Sequence, residues 1–343
     1  MILSKIELYN FRSHDEAAFL FDPRLTLVTG KNGTGKTNLL EAVYVLLRGT
    51  SFRASDRELT AFERDWWRVV GELDDTTREL RHQSDKLPAK QLLMHDSAKR
   101  FHYKDRLPVV LFEPTDLQLI HGSPNRRRST FDDMLMSLSP DYRQALSRYE
   151  RSLKQRNNTL KRYGASNELH DLLFVWDVTL AKYGETIIAE RERFISQINT
   201  MLPEIYSQIA GRVSDIELRY HSTSPSTSSR FIDKLHKNIG LDKMRATTSI
   251  GPHRDDFMFY LNQTDAKAMA SRGETRSILL SLKLAYTALL RDLHDTDPIV
   301  LLDDVFSELD SDRQKNLLRA LGDSQVIITD TKNIPGTGKR IRL

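Results

Sequence analysis

The sequence predicts an α/β fold that is built around a phosphate-binding loop and contains an inserted helical lobe. A glycine-rich loop at residues 30–37 follows a strand pattern and precedes a helix pattern. A continuous apolar run at residues 299–302 ends in two aspartates, as a buried strand beside such a loop would. Between them, residues 137–201 are nearly free of glycine and rich in helix formers. These three observations favour a parallel sheet interrupted by helices.

Length and composition exclude several classes of protein. At about 100–200 residues per domain, 343 residues correspond to one domain with a large insertion or to two domains. With 39% hydrophobic and 29% charged residues, and no apolar run near the roughly 18–20 residues of a membrane span, we expect a soluble globular protein. The absence of cysteine excludes disulfides, thiolate nucleophiles and cysteine zinc sites. Charged Lys5 and Glu7 interrupt the first apolar stretch, so we expect no secretory signal and a cytoplasmic location.

Hydrophobic periodicity places the remaining elements. Alternation or continuous apolar sequence predicts strands, which lie at residues 2–8, 18–21, 25–28, 67–73, 109–112, 256–261 and 325–329. Three- and four-residue apolar spacing predicts a buried helix over residues 39–47, with Gly49 ending it, and another over 277–290. Residues 74–108 show poor periodicity, so no further strand is predicted there.

The glycine-rich loop matches the spacing of a P-loop in full. Its eight residues are Gly30, Lys31, Asn32, Gly33, Thr34, Gly35, Lys36 and Thr37. In such a loop the backbone N–H groups and the helix N-terminus surround the phosphates of a nucleoside triphosphate. The Lys36 ammonium would reach the β- and γ-phosphates, and the Thr37 hydroxyl would bind Mg²⁺.

A P-loop requires an acidic partner on the metal side. Asp303 and Asp304 follow the apolar run at residues 299–302, at the end of a predicted buried strand. Asp303 is the predicted Mg²⁺ ligand. Asp304 falls where a carboxylate would orient or deprotonate the attacking water, so Lys36 and Asp304 are the predicted catalytic residues.

Basic residues are concentrated in one region, although the net charge is only +4. Residues 142–163 contain seven Lys or Arg and a single acid, Glu150, and three consecutive arginines precede them at 126–128. One interpretation is a solvated helix face and turn. The other is a surface that contacts nucleic-acid phosphates, and charge alone does not separate them.

Two motifs near the end of the chain resemble those of ABC-type ATPases. The run Leu-Leu-Asp-Asp-Val-Phe-Ser-Glu-Leu-Asp at residues 301–310 is similar to a Walker B motif with its D-loop, and Ala-Ser-Arg-Gly-Glu at 270–274 is similar to the signature motif. The resemblance implies a homodimer closed by ATP, in which the signature residues act on the partner's nucleotide in trans. These residues are Ser271, Gly273 and Glu274, and the D-loop residues are Ser307 and Asp310. Asp330 falls where many ABC ATPases have a histidine that senses the γ-phosphate.

Further blocks narrow the resemblance to the RecF family of bacterial recombination-repair ATPases. They are Asn-Phe-Arg at residues 10–12, Phe-Glu-Pro-Thr-Asp-Leu at 112–117, Gly-Ser-Pro-Asn-Arg-Arg-Arg at 122–128 and Gly-Pro-His-Arg-Asp-Asp at 251–256. The resemblance implies an ABC-type head in three segments: an ATPase lobe at 1–115, a mainly helical lobe at 116–245, and residues 246–343 completing the head. The alternative for Arg12 is that it only pairs with Asp15 or Glu16.

The same resemblance implies the function. It implies an ATP-dependent protein that binds duplex DNA and single-strand/duplex junctions and uses weak DNA-stimulated ATP hydrolysis as a switch. It also implies that the protein acts with RecO and RecR to direct RecA loading in DNA repair, replication and the SOS response. The candidate DNA-binding residues are Arg126, Arg127, Arg128, Arg151, Lys154 and Arg156.

Two other functions share a P-loop and these motifs. The ATPase subunit of a transporter is disfavoured because the distance along the chain from Lys36 to Gly273 far exceeds that of a compact transporter domain. A structural DNA clamp with long coiled coils is disfavoured because Gly164 and Gly184 are expected to divide residues 142–201 into short helices.

Overall fold

The computed structural model describes residues 1–86, 89–94, 97–164, 166, 168–306, 309–331 and 338–343. By internal contacts the chain forms two compact units. The first consists of Met1–Asp116 with Thr287–Leu343, and the second is Leu117–Tyr286. The sequence-based segment 116–245 and the signature motif therefore both lie in the second unit, apart from residue 116 itself.

A five-stranded parallel sheet carries the P-loop in the first unit. Its strands are β3 (Leu25–Thr29), β8 (Val109–Phe112), β12 (Ile299–Asp303), β13 (Val326–Asp330) and β14 (Lys339–Arg342), in the spatial order β14-β3-β13-β12-β8. The interior strands are apolar because both faces of a parallel sheet are buried. The sequence predicted every strand except β14, whose three basic residues surround a single isoleucine at the sheet edge.

A six-stranded antiparallel sheet completes the strands of the first unit. Its strands, in spatial order, are β2 (His14–Leu20), β1 (Leu3–Phe11), β4 (Trp66–Leu73), β5 (Thr76–Gln83), β6 (Lys90–Met94) and β7 (Ser97–Arg100). The sequence did not predict β5 to β7. The reason is visible in β5, where buried positions alternate with partly exposed ones and include Arg78 and His82 as well as Leu80.

Helix α1 (Lys36–Arg48) lies in the main core of this unit. Its apolar residues pack together with side chains from both sheets, so the predicted buried helix is confirmed. Gly49 ends it with φ 72°, a left-handed conformation that favours glycine. The unit also contains α10 (Ser311–Ala320) and a short 3-10 helix at Tyr103–Asp105.

The second unit is mainly helical. Its helices are α2 (Gln118–His121), α3 (Pro124–Leu138), α4 (Pro140–Tyr163), α5 (Leu169–Ala210), α6 (Ser228–Lys237), α7 (Ile239–Arg245), α8 (Ala266–Met269) and the first part of α9 (Arg272–His294). A three-stranded antiparallel sheet accompanies them, in the order β11 (Thr264–Asp265), β10 (Asp256–Leu261) and β9 (Ile216–His221). In the described part of the chain, no helix is long and apolar enough to cross a bilayer.

One expectation about the helical lobe was wrong. Gly164 does follow the end of α4, but Gly184 lies inside α5, which is 42 residues long. A Cβ atom built on Gly184 would lie 2.4 Å from Cε1 of Phe231. Glycine is therefore present because the Phe231 ring of α6 packs directly on the helix backbone. The α4 helix of 24 residues is about 36 Å long, and it packs along α5.

Candidate nucleotide-binding site

The P-loop connects β3 to α1 in the first unit. Gly33 has φ 85° and Gly35, the residue that precedes α1, has φ 97°. Both values lie in the left-handed region that glycine adopts without steric cost. The loop therefore depends on glycine at these two positions, and it ends at the N-terminus of a 13-residue helix, where backbone N–H groups attract phosphate.

The Lys36 side chain is buried in this loop. Its ammonium donates to the carbonyl oxygens of Gly30 (2.7 Å) and Lys31 (2.9 Å). Thr34 also donates to the Lys31 carbonyl, from its hydroxyl at 3.0 Å. The ammonium thus holds the two ends of the loop together.

Thr37 and Asp303 meet on the metal side of the site. The Thr37 hydroxyl donates to Oδ1 of Asp303 at 3.0 Å, and the Thr329 hydroxyl donates to the same oxygen at 2.7 Å. Asp303 ends β12, and Thr329 is its register partner on β13. A hydroxyl and a carboxylate are hard oxygen ligands of the kind that Mg²⁺ takes together with substrate phosphates, so the residues fit this ion. No group of three or more His, Cys, Asp or Glu side chains forms a separate metal site among the described residues.

The next residue, Asp304, has a left-handed backbone with φ 52°. Its N–H group lies 3.2 Å from the carbonyl oxygen and 3.1 Å from the hydroxyl of Thr329. Asp330 is buried at the end of the neighbouring strand β13, opposite Thr29 of β3. The ends of β12, β13 and β3 thus bring the predicted acidic residues and the P-loop to one edge of the sheet.

Glu41, a buried carboxylate on α1, binds side chains from the turn before β2 and from the segment after α1. Glu41 is fully buried, and it accepts bonds from Nε and Nη2 of Arg12, both at 2.9 Å. Arg53 adds a bond of 2.8 Å and Ser51 one of 2.6 Å. Burial by itself would raise the pKa of Glu41, but the bonds from Arg12 and Arg53 hold it below its ordinary value. Arg12 thus pairs with Glu41, and not with Asp15 or Glu16, the alternative that the sequence left open.

This network continues to the P-loop. Arg53 donates to Oδ1 of Asn38 at 2.6 Å, and Nδ2 of Asn38 donates to the Ser13 hydroxyl at 2.8 Å. A Cβ atom on Gly35 would lie 3.0 Å from both Ser13 Oγ and His14 Nε2. The turn between β1 and β2 is thus fixed against the start of α1. Sequence reasoning missed this support because its members are distant in sequence.

The predicted signature motif, in the second unit, forms the N-terminus of α9. The Ser271 N–H group donates to Oε2 of Glu274 at 2.7 Å, and the Glu274 N–H group lies 3.3 Å from the Ser271 hydroxyl. This is a capping box, which the Ser-x-x-Glu pattern could have indicated. The bonds from Ser271 lower the pKa of Glu274, which also pairs with Arg212. Ser271 is exposed, and Gly273 lies in the first turn.

The D-loop residues are only partly described. Asp310 is the N-cap of α10 and accepts a bond of 2.9 Å from the Arg313 N–H group, which lowers its pKa. Ser307 lies outside the described residues.

The six candidate DNA-binding residues separate by burial. Arg126, Arg151 and Lys154 are exposed. Arg128 is half-buried and donates to the Asp255 carbonyl at 2.6 Å. The remaining two, Arg127 and Arg156, are buried in ion pairs, as the next paragraphs describe.

Arg127 is 5% exposed and forms a bidentate pair with Asp256, with bonds of 2.7 and 2.6 Å. Its Nη1 also donates to the Gly122 carbonyl at 2.9 Å. This arginine joins α3 to β10, so its charge serves the packing of the second unit.

Arg156 is fully buried between two carboxylates. It donates to Asp177 and to Asp242, each at 2.6 Å, and to the Thr248 hydroxyl at 2.9 Å. These contacts join α4 to α5 and α7. The fully buried guanidinium has no access to a DNA backbone in this structure.

A second buried arginine joins α5 to α3 and to the sequence block at residues 251–256. Arg191 of α5 donates to Asp132 at 2.8 Å and to the Pro252 carbonyl at 2.8 Å. Beside it, the hydroxyl of Tyr149 lies 2.8 Å from Nδ1 of His253, and burial lowers the pKa of His253 to about 4. His253 is thus neutral near pH 7, and the block at residues 251–256 forms part of a polar core that the sequence alone did not reveal.

The chain is similar to known proteins over nearly its whole length. The AAA ATPase domain family matches residues 1–91. The DNA replication and repair protein RecF of Streptococcus thermophilus is 36% identical over 343 residues, covering 96% of this chain and 92% of that protein.

Two solved structures agree with this similarity. The recombination mediator protein RecF-ATPrS in the RecFOR pathway matches with a TM-score of 0.89 and 28% identity, covering 99% of this chain and 95% of that one. An Smc head bound to the C-winged helix domain of ScpA shares the fold, with a TM-score of 0.54 and 16% identity over 97% of this chain and 90% of that one. The predicted ABC-type head fold is confirmed. The identity across almost the entire chain shows that it belongs to the RecF family of DNA replication and repair proteins.

Proposed function

We propose that the chain is an ATP-dependent DNA-binding switch of recombinational repair. The observation that carries this proposal is the hydrogen bond from the Thr37 hydroxyl to the Asp303 carboxylate. Thr37 directly follows Lys36, the buried lysine of the P-loop. In the proposal, ATP closes a homodimer on DNA at gaps and junctions, and slow DNA-stimulated hydrolysis reopens it. Membership of the RecF family supports a role with RecO and RecR in RecA loading, in the cytoplasm.

The residues of the first unit have separate roles in this proposal. Lys36 and the backbone of the P-loop hold the phosphates, and Thr37 and Asp303 hold Mg²⁺. The ion would offset phosphate charge during hydrolysis. Asp304, which follows Asp303 at the same sheet edge, orients the attacking water.

Closure of the dimer is assigned to the N-terminus of α9. Ser271 is exposed there, and a helix N-terminus attracts anionic groups. The proposal is that Ser271 contacts the γ-phosphate that the partner's P-loop holds. Two identical chains then form two composite sites, each with a P-loop from one chain and a signature from the other.

A mixing experiment tests this composite site. Ser271→Arg should abolish ATP-dependent dimerisation in size-exclusion chromatography while each chain retains its ATP affinity, because the P-loop is untouched. In a heterodimer of Ser271→Arg and Lys36→Met chains, both changes fall on one composite site, and the other is intact. We therefore expect part of the DNA-stimulated ATPase activity to return on mixing. A signature that acts within its own chain would give no recovery.

The DNA-contacting face is assigned to exposed cations near the start of α3 and along α4. Arg126, Arg151 and Lys154 remain from the sequence-based set, and Arg148 is exposed one helical turn before Arg151. Their side chains are accessible, unlike those of Arg127 and Arg156, so they meet the first requirement for phosphate contact.

The salt dependence of DNA binding tests this face. Each phosphate contact contributes about 0.9 to the slope of log affinity against log salt. An Arg151→Gln, Lys154→Gln double variant should therefore lower the slope for duplex DNA by about 1.8. The control is Arg193→Gln on α5, an exposed arginine that pairs with Glu190, and it should leave the slope unchanged. An unchanged slope in the double variant would show that DNA binds to another surface.

A further inference from the structure

A cavity of about 680 Å³ lies in the first unit, at the C-terminal end of α1. Gly49, which ends the helix, lines it from one side, and residues 100–103 with Arg106 line it from the other. The volume falls within the range of about 300–1,000 Å³ that small-molecule sites occupy. The P-loop precedes the other end of α1, a helix of 13 residues that is about 20 Å long. The cavity is therefore separate from the proposed ATP site.

The lining of this cavity carries unbalanced positive charge. Lys90 bonds to Asp56 and to the Gly49 carbonyl, both at 2.5 Å, so the one carboxylate in the lining is already neutralised. Arg100 and Arg106 add two positive charges, and neither forms an ion pair within the described part of the chain. Two guanidinium groups without carboxylate partners favour an anionic ligand.

The buried guanidinium of Arg106 has a hydrogen-bond donor that an anion could satisfy. Its Nε atom is buried and has no hydrogen-bond partner among the described residues. Burial and the nearby charge of Arg48 lower the pKa of Arg106. Because a buried donor without a partner is costly, an anionic acceptor beside Arg106 would remove this cost.

Aromatic rings accompany the cations. The guanidinium of Arg106 stacks 4.2 Å from the centre of the Tyr103 ring. Phe101 packs directly on Gly49, where a Cβ atom would lie 2.3 Å from the phenyl ring. Phe101 and half-buried Tyr103 both line the cavity, and Arg106 covers one face of the Tyr103 ring. Cations beside an aromatic ring are the combination that binds the phosphate and the base of a nucleotide.

We propose that this cavity is a second nucleotide-binding site, which takes one nucleotide unit with its phosphate at Arg100 and Arg106 and its base at Tyr103. A free mononucleotide and a nucleotide within a single strand of DNA present the same chemistry. The single-strand source rests on the proposed DNA function, because it would place an unpaired nucleotide of a gap in this cavity. The site itself does not depend on that function.

The test measures binding of a fluorescein-labelled dT decamer to the full-length chain without ATP. An Arg100→Gln, Arg106→Gln double variant should bind about tenfold more weakly, and its salt slope should fall by about 1.4, since each single-strand contact contributes about 0.7. Arg100 is exposed on the edge strand β7, so Arg100→Gln alone should fold normally and lower the slope by about 0.7. The matched control is Arg319→Gln, an exposed arginine on α10, and it should bind like the wild type.

The base contact needs its own variants. Tyr103→Leu should weaken binding of the decamer by about tenfold, because it removes a stacking surface, whereas Tyr103→Phe should retain it. Displacement of the decamer by dTMP at similar concentrations of nucleotide would identify a site for free nucleotides, and displacement only by longer strands would identify a strand site. Either result supports the proposal. Equal displacement by inorganic phosphate with no effect of Tyr103→Leu would overturn it.

The two proposals fail in different ways. If the Arg100 and Arg106 variants bind the decamer like the wild type, the cavity proposal is wrong. ATP-dependent binding of duplex DNA, measured on the same samples, would then still report on the proposed function. ATP affinity and the thermal unfolding midpoint of each variant confirm that it is folded.

Discussion

Lys36→Met is expected to lower the affinity for ATP by about a hundredfold or more and to abolish ATP-dependent dimerisation. Hydrogen bonds to charged groups contribute about 1.5–3 kcal/mol each, and the ammonium is the one P-loop side chain placed to make several with phosphate. The variant also loses the two bonds that join the ammonium to the Gly30 and Lys31 carbonyls. Equilibrium binding of a fluorescent ATP analogue measures the first effect.

The matched control is Lys315→Met, which removes an exposed lysine of α10 in the same unit. It should bind ATP like the wild type. Wild-type affinity in Lys36→Met would show that the nucleotide binds elsewhere and would remove the basis of the proposed function.

Replacement of the buried Arg156 is expected to cause a large loss of folding stability. Arg156→Met should reduce the free energy of unfolding by about 3–5 kcal/mol, because it leaves Asp177 and Asp242 buried without their shared cation. Urea denaturation measures the loss. Lys154→Met, two residues earlier on the exposed face of the same helix, should change stability by less than about 0.5 kcal/mol. Equal losses in the two variants would contradict the structural role of Arg156.

The pH dependence of this loss gives an independent test. Burial raises the pKa of Asp177 even though Arg156 acts in the opposite direction. Without Arg156 the pKa should rise further. A carboxyl group whose pKa is raised in the folded state destabilises that state when it is ionised. The free energy of unfolding therefore increases as the pH falls through this pKa and the group becomes protonated. The deficit of Arg156→Met relative to wild type should therefore shrink as the pH is lowered from neutral and Asp177 takes up a proton, and a constant deficit would contradict this explanation.

The sequence predicted those parts of the fold whose signals are local. The P-loop, β12 and α1 each combine a periodic pattern with a clear end, so their positions were predicted within a few residues. Strands β5 to β7 were missed because charged residues occupy many of their positions. Their apolar alternation becomes clear only when the antiparallel pairing shows which face is buried.

Charge could not be interpreted from the sequence for a different reason. The carboxylates that bind Arg156 are 21 and 86 positions away, and the one that binds Arg127 is 129 positions away. A cluster of basic residues therefore looks the same whether its members face solvent or partners elsewhere in the chain. Gly184 is a similar case, because the ring that requires it belongs to another helix. Long-range packing decided each of these positions.

The left-handed backbone of Asp304 limits which amino acids this position accepts. A side chain with a Cβ atom pays a steric cost at φ 52°, and aspartate and asparagine tolerate it best after glycine. Asparagine is therefore the replacement that removes the charge and keeps both the shape and the backbone. Glutamate would keep the charge at the expense of strain, and alanine would change charge and backbone together. Natural variation at position 304 should therefore be confined to aspartate, asparagine and glycine, even where ATP hydrolysis is not under selection.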